Sequence, residues 1–424
     1  MPEPSLRRNA AWAVAGNVGY AACQCAILIV LAKLGSAELV GRFALALAIT
    51  APAMLASGLQ LRAIQATDAR GEHPFGVYLG LRLVTTALAL AAITAVAIAG
   101  GQSRTMIALI VLVGIAKAIE SVSDVVFGLL QQHEDLRRIA LSMLAKGVLS
   151  VASMALGLWL GLGLVVATAL LAASWGAWLA AYDLPAARRH TTLVPTIRPR
   201  ALGALAWLAL PMGIGAGLQS LMTNVPRYAI EAHAGAAALG WFAAIAYLVS
   251  AGNQPVMALW AAAGPRLARL FVADREGYRR LTRRTLLAAA AMAALTIGGA
   301  AAVGTPLLTL LYTVEYAAHA DVLVWLAVVG GVGYATSALA TSITAARRFP
   351  AHLGVVALTV AVSWIASAAL VPRYGLTGAA WTLLAATLVQ TASLALVYRR
   401  AARGDDETAA TDGEHDAVRA EAMA

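Results

Sequence analysis

Lys117, Glu120 and Asp124 stand three and four residues apart inside one long apolar run, with Ser121 between them. On a helix that spacing stacks all three ionisable groups on one face. Lys146 lies at comparable depth in the next run. A charge at the centre of a membrane-spanning helix costs ~2.5–3.5 kcal/mol even on the lenient insertion scale, so these four must pair or line water. Two chemistries fit the same residues. One is a neutral brace, with Lys117 and Lys146 set against Glu120 and Asp124. The other is substrate binding, or ion and proton coupling, in a wet cavity.

Arg227 has a different character. It follows Pro226 near the end of another apolar run, and a guanidinium grips a phosphate bidentately at any working pH. Two blander roles suit it equally: an interfacial anchor that snorkels to headgroups, or a partner for Glu231 one turn on. Polar stripes at helical spacing surround these charges. They are Asn17, Tyr20 and Gln24; then Gln219, Thr223 and Arg227 beside Asn224; then Tyr247, Ser250 and Gln254 beside Asn253; then Tyr334, Ser337 and Thr341. One stripe alone reads as interhelical hydrogen bonding at ~0.6 kcal/mol per contact. Four stripes over both halves of the chain point to one shared wet cavity. Pro211, Pro226 and Pro255 are expected to interrupt their runs.

Hydropathy supplies the elements that hold these groups. Apolar runs lie near 11–32, 43–61, 76–99, 105–130, 139–160, 164–183, 204–225, 240–262, 285–303, 321–343, 353–371 and 377–398. A span needs ~20 apolar residues to cross ~30 Å of hydrocarbon, which these runs approach or exceed. The chain is 61% hydrophobic and only 12% charged, a balance that excludes a soluble core. The fold class is therefore an all-α integral membrane bundle of about twelve transmembrane helices.

Arginines crowd alternate gaps, at Arg62, Arg137, Arg138, Arg188 and Arg189 for example, while the other gaps hold only Lys33, Arg42, Arg104, Arg227 and Arg373. The positive-inside rule then puts both termini in the cytoplasm. The net charge of +10 belongs to the inner face, with membrane lipids as counterions. Scattered over short segments, it is not a nucleic-acid footprint. No cleavable signal peptide is expected, since the first apolar run continues for a full span. Cys23 and Cys25 read as apolar filler, neither a disulfide nor a metal site. No phosphate-binding Gly-x-x-x-x-Gly-Lys-Ser/Thr loop is present, and the gaps lack room for a catalytic domain. Neither ATP-driven transport nor an enzyme is expected, and no cofactor is implied.

The chain reads as a duplication. Gly41-Arg42-Phe43-Ala44 opens the second span and Gly240-Trp241-Phe242-Ala243 opens the eighth. Six spans per copy leave both copies in the same orientation, which implies a pseudo-twofold axis along the membrane normal and a central cleft. The expected layout is an N-terminal lobe over 1–184, a cytoplasmic linker over 185–203 bearing Pro185, Pro195 and Pro199, a C-terminal lobe over 204–400, and a disordered acidic cytoplasmic tail over 401–424.

Several stretches carry a family likeness. They are Asn17 to Gln24, the run Gly58-Leu-Gln-Leu-Arg62-Ala-Ile-Gln65-Ala-Thr-Asp68-Ala-Arg70, Lys117-Ala-Ile-Glu120-Ser-Val-Ser-Asp124, Lys146-Gly147, Asn224-Val-Pro226-Arg227-Tyr228, and Gly264-Pro-Arg266-Leu-Ala-Arg269. Over roughly residues 8 to 400 the chain resembles the Wzx-type oligosaccharide and O-antigen flippases of the multidrug/oligosaccharidyl-lipid/polysaccharide exporter superfamily. That resemblance implies a multi-pass protein of the bacterial cytoplasmic (inner) membrane. By alternating access it would move an undecaprenyl-diphosphate-linked glycan outward for O-antigen, capsule or exopolysaccharide synthesis, as a monomer with polysaccharide-assembly proteins as further partners. Arg62, Lys117, Lys146 and Arg227 would bind the diphosphate; Lys146 stands where the family pattern suggests arginine. Gln24, Asn224, Tyr228 and Trp260 would meet the sugars. A cation-coupled multidrug antiporter of the same superfamily is the alternative, kept open by Glu120 and Asp124.

Overall fold

A computed structural model describes residues 6–68, 70–345 and 349–403. The expected tail lies outside them beyond Arg403. The helices are α1 (Leu6–Leu34), α2 (Ala37–Gly58), α3 (Leu61–Thr67), α4 (Phe75–Ala99), α5 (Arg104–Gln132), α6 (Leu136–Trp159), α7 (Gly163–Trp178) and α8 (Leu184–Ala187), followed by α9 (Pro199–Ala273), α10 (Arg275–Leu311), α11 (Val314–Ala317), α12 (Ala320–Ala345) and α13 (Phe349–Arg403). A π-helical turn, Leu179–Asp183, joins α7 to α8. No strand occurs among the described residues.

Among the described residues, ten helices are long and apolar enough to cross a membrane. Two of them are pairs of spans run together. α9 is 75 residues long and breaks at Gly235, with φ 80° and ψ 178°. α13 is 55 residues long and breaks at Gly375, with φ 55° and ψ −129°. Only glycine adopts such angles without strain, so one residue reverses the chain where a loop was expected. With each of these helices divided at its glycine, the twelve expected spans are recovered.

The duplication acquires a physical form where α2 crosses the second limb of α9. A Cβ added to Gly41 would collide with the carbonyl oxygen of Ala236, and one added to Gly240 would collide with that of Ala37. Gly41 stands to Gly240 as Ala37 stands to Ala236. This reciprocity is the mark of a twofold contact, in which residue i touches j and the copy of j touches the copy of i. The opening glycines of the two repeats therefore meet on the pseudo-twofold axis, and small residues there let the backbones close up. The same end is clamped further: Lys33 donates to the Leu310 carbonyl at 2.8 Å, and the Tyr312 hydroxyl to that of Ala244 at 3.1 Å. Buried in the loop after α10, the Tyr312 hydroxyl has its pKa pushed above the usual phenolic range, so it stays a donor.

Prolines do not interrupt the spans as expected. The first limb of α9 stays helical through Pro211 and Pro226, and α2 contains Pro52. A helical proline frees the carbonyl four residues back, and here other elements bond two of the freed groups. Tyr228 donates its hydroxyl to the Ala48 carbonyl freed by Pro52, at 2.6 Å. Ser363 donates to the Met222 carbonyl freed by Pro226, at 2.9 Å. Polar groups that could have marked a site are instead structural, because hydrocarbon offers no other partner.

The segment between the halves is laid against α4. The Thr196 N–H donates to the Gly76 carbonyl at 2.8 Å, and Gly76 and Gly80 leave room for it. The loop entering α4 is stapled by Asp68. Its carboxyl is held below the usual carboxylate range chiefly by the Glu72 N–H, with the His73 N–H and the Tyr78 hydroxyl adding to it.

Candidate functional site

A cavity of about 420 Å³ opens in the N-terminal half, lined by Tyr20, Arg62, Arg82, Lys117, Glu120 and Asp124 among others. The turn between α2 and α3 aims Arg62 into it. Leu59 and Gln60 both adopt left-handed angles, φ 51° each, a strained pair of about 1–3 kcal/mol per residue. Arg62 then reaches Asp124 at 3.6 Å and Gln131 at 3.3 Å. Arg82, projecting from the buried first turns of α4, donates to Asp124 at 3.2 Å while only 2% exposed. Its Nε has no partner.

One turn deeper, Lys117 donates to Glu120 at 2.7 Å, and the Tyr20 hydroxyl donates to the other oxygen of Glu120 at 2.5 Å. The brace reading thus describes Lys117 and Glu120. It does not describe Lys146. That ammonium is buried against Asp183 at 2.7 Å and against Ser123, and it stacks over Phe127. Ser142 satisfies the second oxygen of Asp183 at 2.6 Å. The π-helical turn carries Asp183 inward, the kind of irregularity that often re-aims one side chain at a functional position. Lys146 borders the cavity but is closed into a pair that ties α5 and α6 to the end of the sixth span. Its expected partner was a carboxylate on α5, and its expected role was phosphate binding.

Charge accounting follows from these pairs. Lys117 with Glu120 and Lys146 with Asp183 are each neutral, whereas Arg62 and Arg82 share the single carboxylate of Asp124. The arginine side of the cavity keeps an excess positive charge. Arg82 and Asp183 escaped the sequence reading because both sit within a few residues of a span boundary. Treating every ionisable residue that close to an apolar run as buried would have found them.

A second cavity, of about 760 Å³, lies in the C-terminal half. Three of the four polar stripes converge there: Gln219, Thr223 and Arg227, then Ser250 and Asn253, then Tyr334 and Ser337. The side chain of Gln254 lies outside the described ones. Span one's stripe faces the N-terminal cavity through Tyr20, and Tyr247 lies between the two cavities, near Tyr20 and Lys117 on one side and under Arg227 on the other. Arg227 is the only charged residue among the lining side chains. It donates to Asn224 at 3.1 Å and lies over the Tyr247 ring at 5.6 Å, and its Nε has no partner. No carboxylate pairs with it among the described residues. Glu231, its alternative partner, lines a separate cavity with Glu38 and Arg42.

The remaining candidates fall elsewhere. Asn224 is buried and engaged with Ser220 and Arg227. Tyr228 serves Ala48. Trp260 is buried among Val256, Ala289 and Tyr334, behind the cavity wall. Gln24 borders a tight crevice beside Lys117. No cluster of metal-binding side chains occurs among the described residues.

No family model matches the chain. It is 26% identical over 404 residues to the capsular polysaccharide biosynthesis protein CapF of Staphylococcus aureus, covering 93% of this chain and 99% of that one. Its fold is similar to that of the Vibrio cholerae MATE transporter VcmN (TM-score 0.61, 16% identity, 94% of this chain and 96% of that one). It is equally similar to a MOP superfamily transporter from Pyrococcus furiosus described by the reverse polarity of its binding pocket (TM-score 0.62, 16% identity, 92% and 93%). The chain thus combines helices long enough to cross a membrane many times, a twofold contact between its repeats, a full-length likeness to a capsule-synthesis protein and the fold of the multidrug/oligosaccharidyl-lipid/polysaccharide exporter transporters.

Proposed function

We propose that this transporter flips an undecaprenyl-diphosphate-linked oligosaccharide across the bacterial cytoplasmic membrane by alternating access, supplying capsule, O-antigen or exopolysaccharide synthesis. The observation that carries the reading is the surplus of cations lining the cavities: buried Arg82 and half-buried Arg62 over one carboxylate, and half-buried Arg227 with none among the described residues. Buried charge without a counterion is unfavourable, and a diphosphate supplies the missing anion. By helix rise, Arg82 lies about 10 Å from the start of α4 and Arg227 about 12 Å from the opposite end of its limb. The two therefore sit toward opposite faces, one for each side of the passage. Arginine-rich gaps put the α4 start on the cytoplasmic side, with both termini.

Sugar hydroxyls find partners in the uncharged amides and hydroxyls of the larger cavity, while the polyprenyl chain stays in lipid between the lobes. The likeness to a capsular polysaccharide protein supports this cargo. A cation-coupled drug antiporter would draw on Glu120, a carboxylate lining the smaller cavity. Lys117 and Tyr20 already engage both of its oxygens, and the larger cavity offers a cationic drug no acid.

A deletion strain tests the reading. Lipid-linked glycan should accumulate on the inner leaflet, with loss of surface polysaccharide. Normal surface polysaccharide together with raised sensitivity to cationic drugs would favour the antiporter.

A further inference from the structure

One side chain on the second limb of α9 faces both cavities. Ala246, Val249, Ser250 and Asn253 line the larger one, at the i, i+3, i+4 and i+7 spacing of a single helix face. Tyr247 follows Ala246 by one residue, about 100° further round the helix, so it stands on the flank of that face. On one side the Arg227 guanidinium lies over its ring, 5.6 Å from the centroid. On the other it is within electrostatic reach of Tyr20 and Lys117, which line the smaller cavity. Half-buried, it keeps part of its surface free.

The ring face gives Arg227 a partner of a particular kind. An aromatic face attracts a guanidinium through the ring quadrupole, which orients the cation without neutralising it. A carboxylate would cancel the charge, as Asp183 does for Lys146. Asn224 adds one hydrogen bond at 3.1 Å, and the Nε stays without a partner. Arg227 is therefore held in place with donors left over for an anion. Tyr20 and Lys117, by contrast, are both engaged with Glu120, so they leave little for an arriving phosphate.

We infer that Tyr247 is the threshold between the cavities: its ring positions Arg227 for a phosphate, and its hydroxyl donates to the headgroup as it leaves the Glu120 cluster. The inference rests on the flippase reading, with the diphosphate passing from Arg62 and Arg82 to Arg227. Toward Arg227, Tyr247 is a positioning residue. Toward the headgroup, it is a hydrogen-bond donor.

Pyrophosphate binding to the purified full-length protein in phosphatidylcholine nanodiscs, read by calorimetry, tests the ring. Tyr247→Leu should weaken binding about tenfold. In an Arg227→Ala background it should leave the binding that remains through Arg62 and Arg82 unchanged. Tyr247→Phe, which keeps the ring, should bind as tightly as the wild type. Equal losses from Tyr247→Leu with and without Arg227 would overturn the positioning role and leave the flippase reading standing. So would a Tyr247→Phe variant that binds as weakly as Tyr247→Leu, even where Arg227→Ala binds nothing. A wild-type protein that binds no pyrophosphate would overturn the reading and the inference together. Transport tests the hydroxyl: Tyr247→Phe should move a fluorescent undecaprenyl-diphosphate oligosaccharide across proteoliposomes about fivefold more slowly than the wild type. Equal rates would overturn the threshold.

Discussion

Buried pairing separates the cations that hold the bundle together from those left to bind. Lys146 has Asp183, Ser123 and the Phe127 face around it. Removing one partner of such a pair costs about 3–5 kcal/mol, whereas replacing both with apolar residues is close to neutral. Lys146→Met alone should therefore lower thermal stability in detergent sharply, and Lys146→Met with Asp183→Leu should recover most of it. Arg227 has no carboxylate partner among the described residues. Arg227→Ala should abolish surface polysaccharide export with protein still in the membrane, and normal export would remove it from the site. Lys117 and Glu120 lie between these cases: paired, yet facing the cavity. Exchanging them should impair export less than losing either, unless position matters as well as charge. Residue types and spacing made Lys117, Glu120 and Arg227 visible from the sequence. They hid the identity of each partner, because Asp183 and Arg82 are far from Lys146 and Asp124 along the chain and only folding brings them together.

At the scale of the helix, hydropathy marked all the spans, since a bilayer demands length and apolarity and little else. What hydropathy misjudged was the meaning of proline. Pro226 was expected to open its helix and Pro52 drew no notice, yet Ser363 and Tyr228 satisfy the carbonyls that these two prolines free. The sequence holds no local sign of this, because each hydroxyl comes from another helix. Tyr228→Phe should destabilise the protein by about 1–3 kcal/mol, the cost of an orphaned buried acceptor. Pro52→Ala gives the Ala48 carbonyl back a helical N–H donor from residue 52, so in the double variant the Tyr228→Phe penalty should largely vanish. A full penalty persisting in the double variant would mean that Tyr228 acts otherwise, for instance on substrate.

The whole molecule is two copies of one unit meeting at Gly41 and Gly240. The repeated Gly-x-Phe-Ala pattern was legible in the chain, but its place on the twofold contact was not, because an axis has no sequence signature. Gly41→Leu and Gly240→Leu each push a side chain into the other repeat, so they should disturb transport to similar degrees. A harmless change at one with loss at the other would argue against an axis there. The halves have diverged in chemistry while keeping this contact: one cavity is charged and largely paired, the other uncharged but for Arg227. Such a division suits a cargo with an anionic headgroup and a neutral glycan. The direct measurement is translocation of a fluorescent undecaprenyl-diphosphate oligosaccharide in proteoliposomes containing only this protein, read by quenching from one side. The wild-type chain should move the lipid across, while Arg62→Ala with Arg82→Ala, or Arg227→Ala alone, should not. No movement by the folded wild-type protein, or equal movement by the arginine variants, would contradict the account.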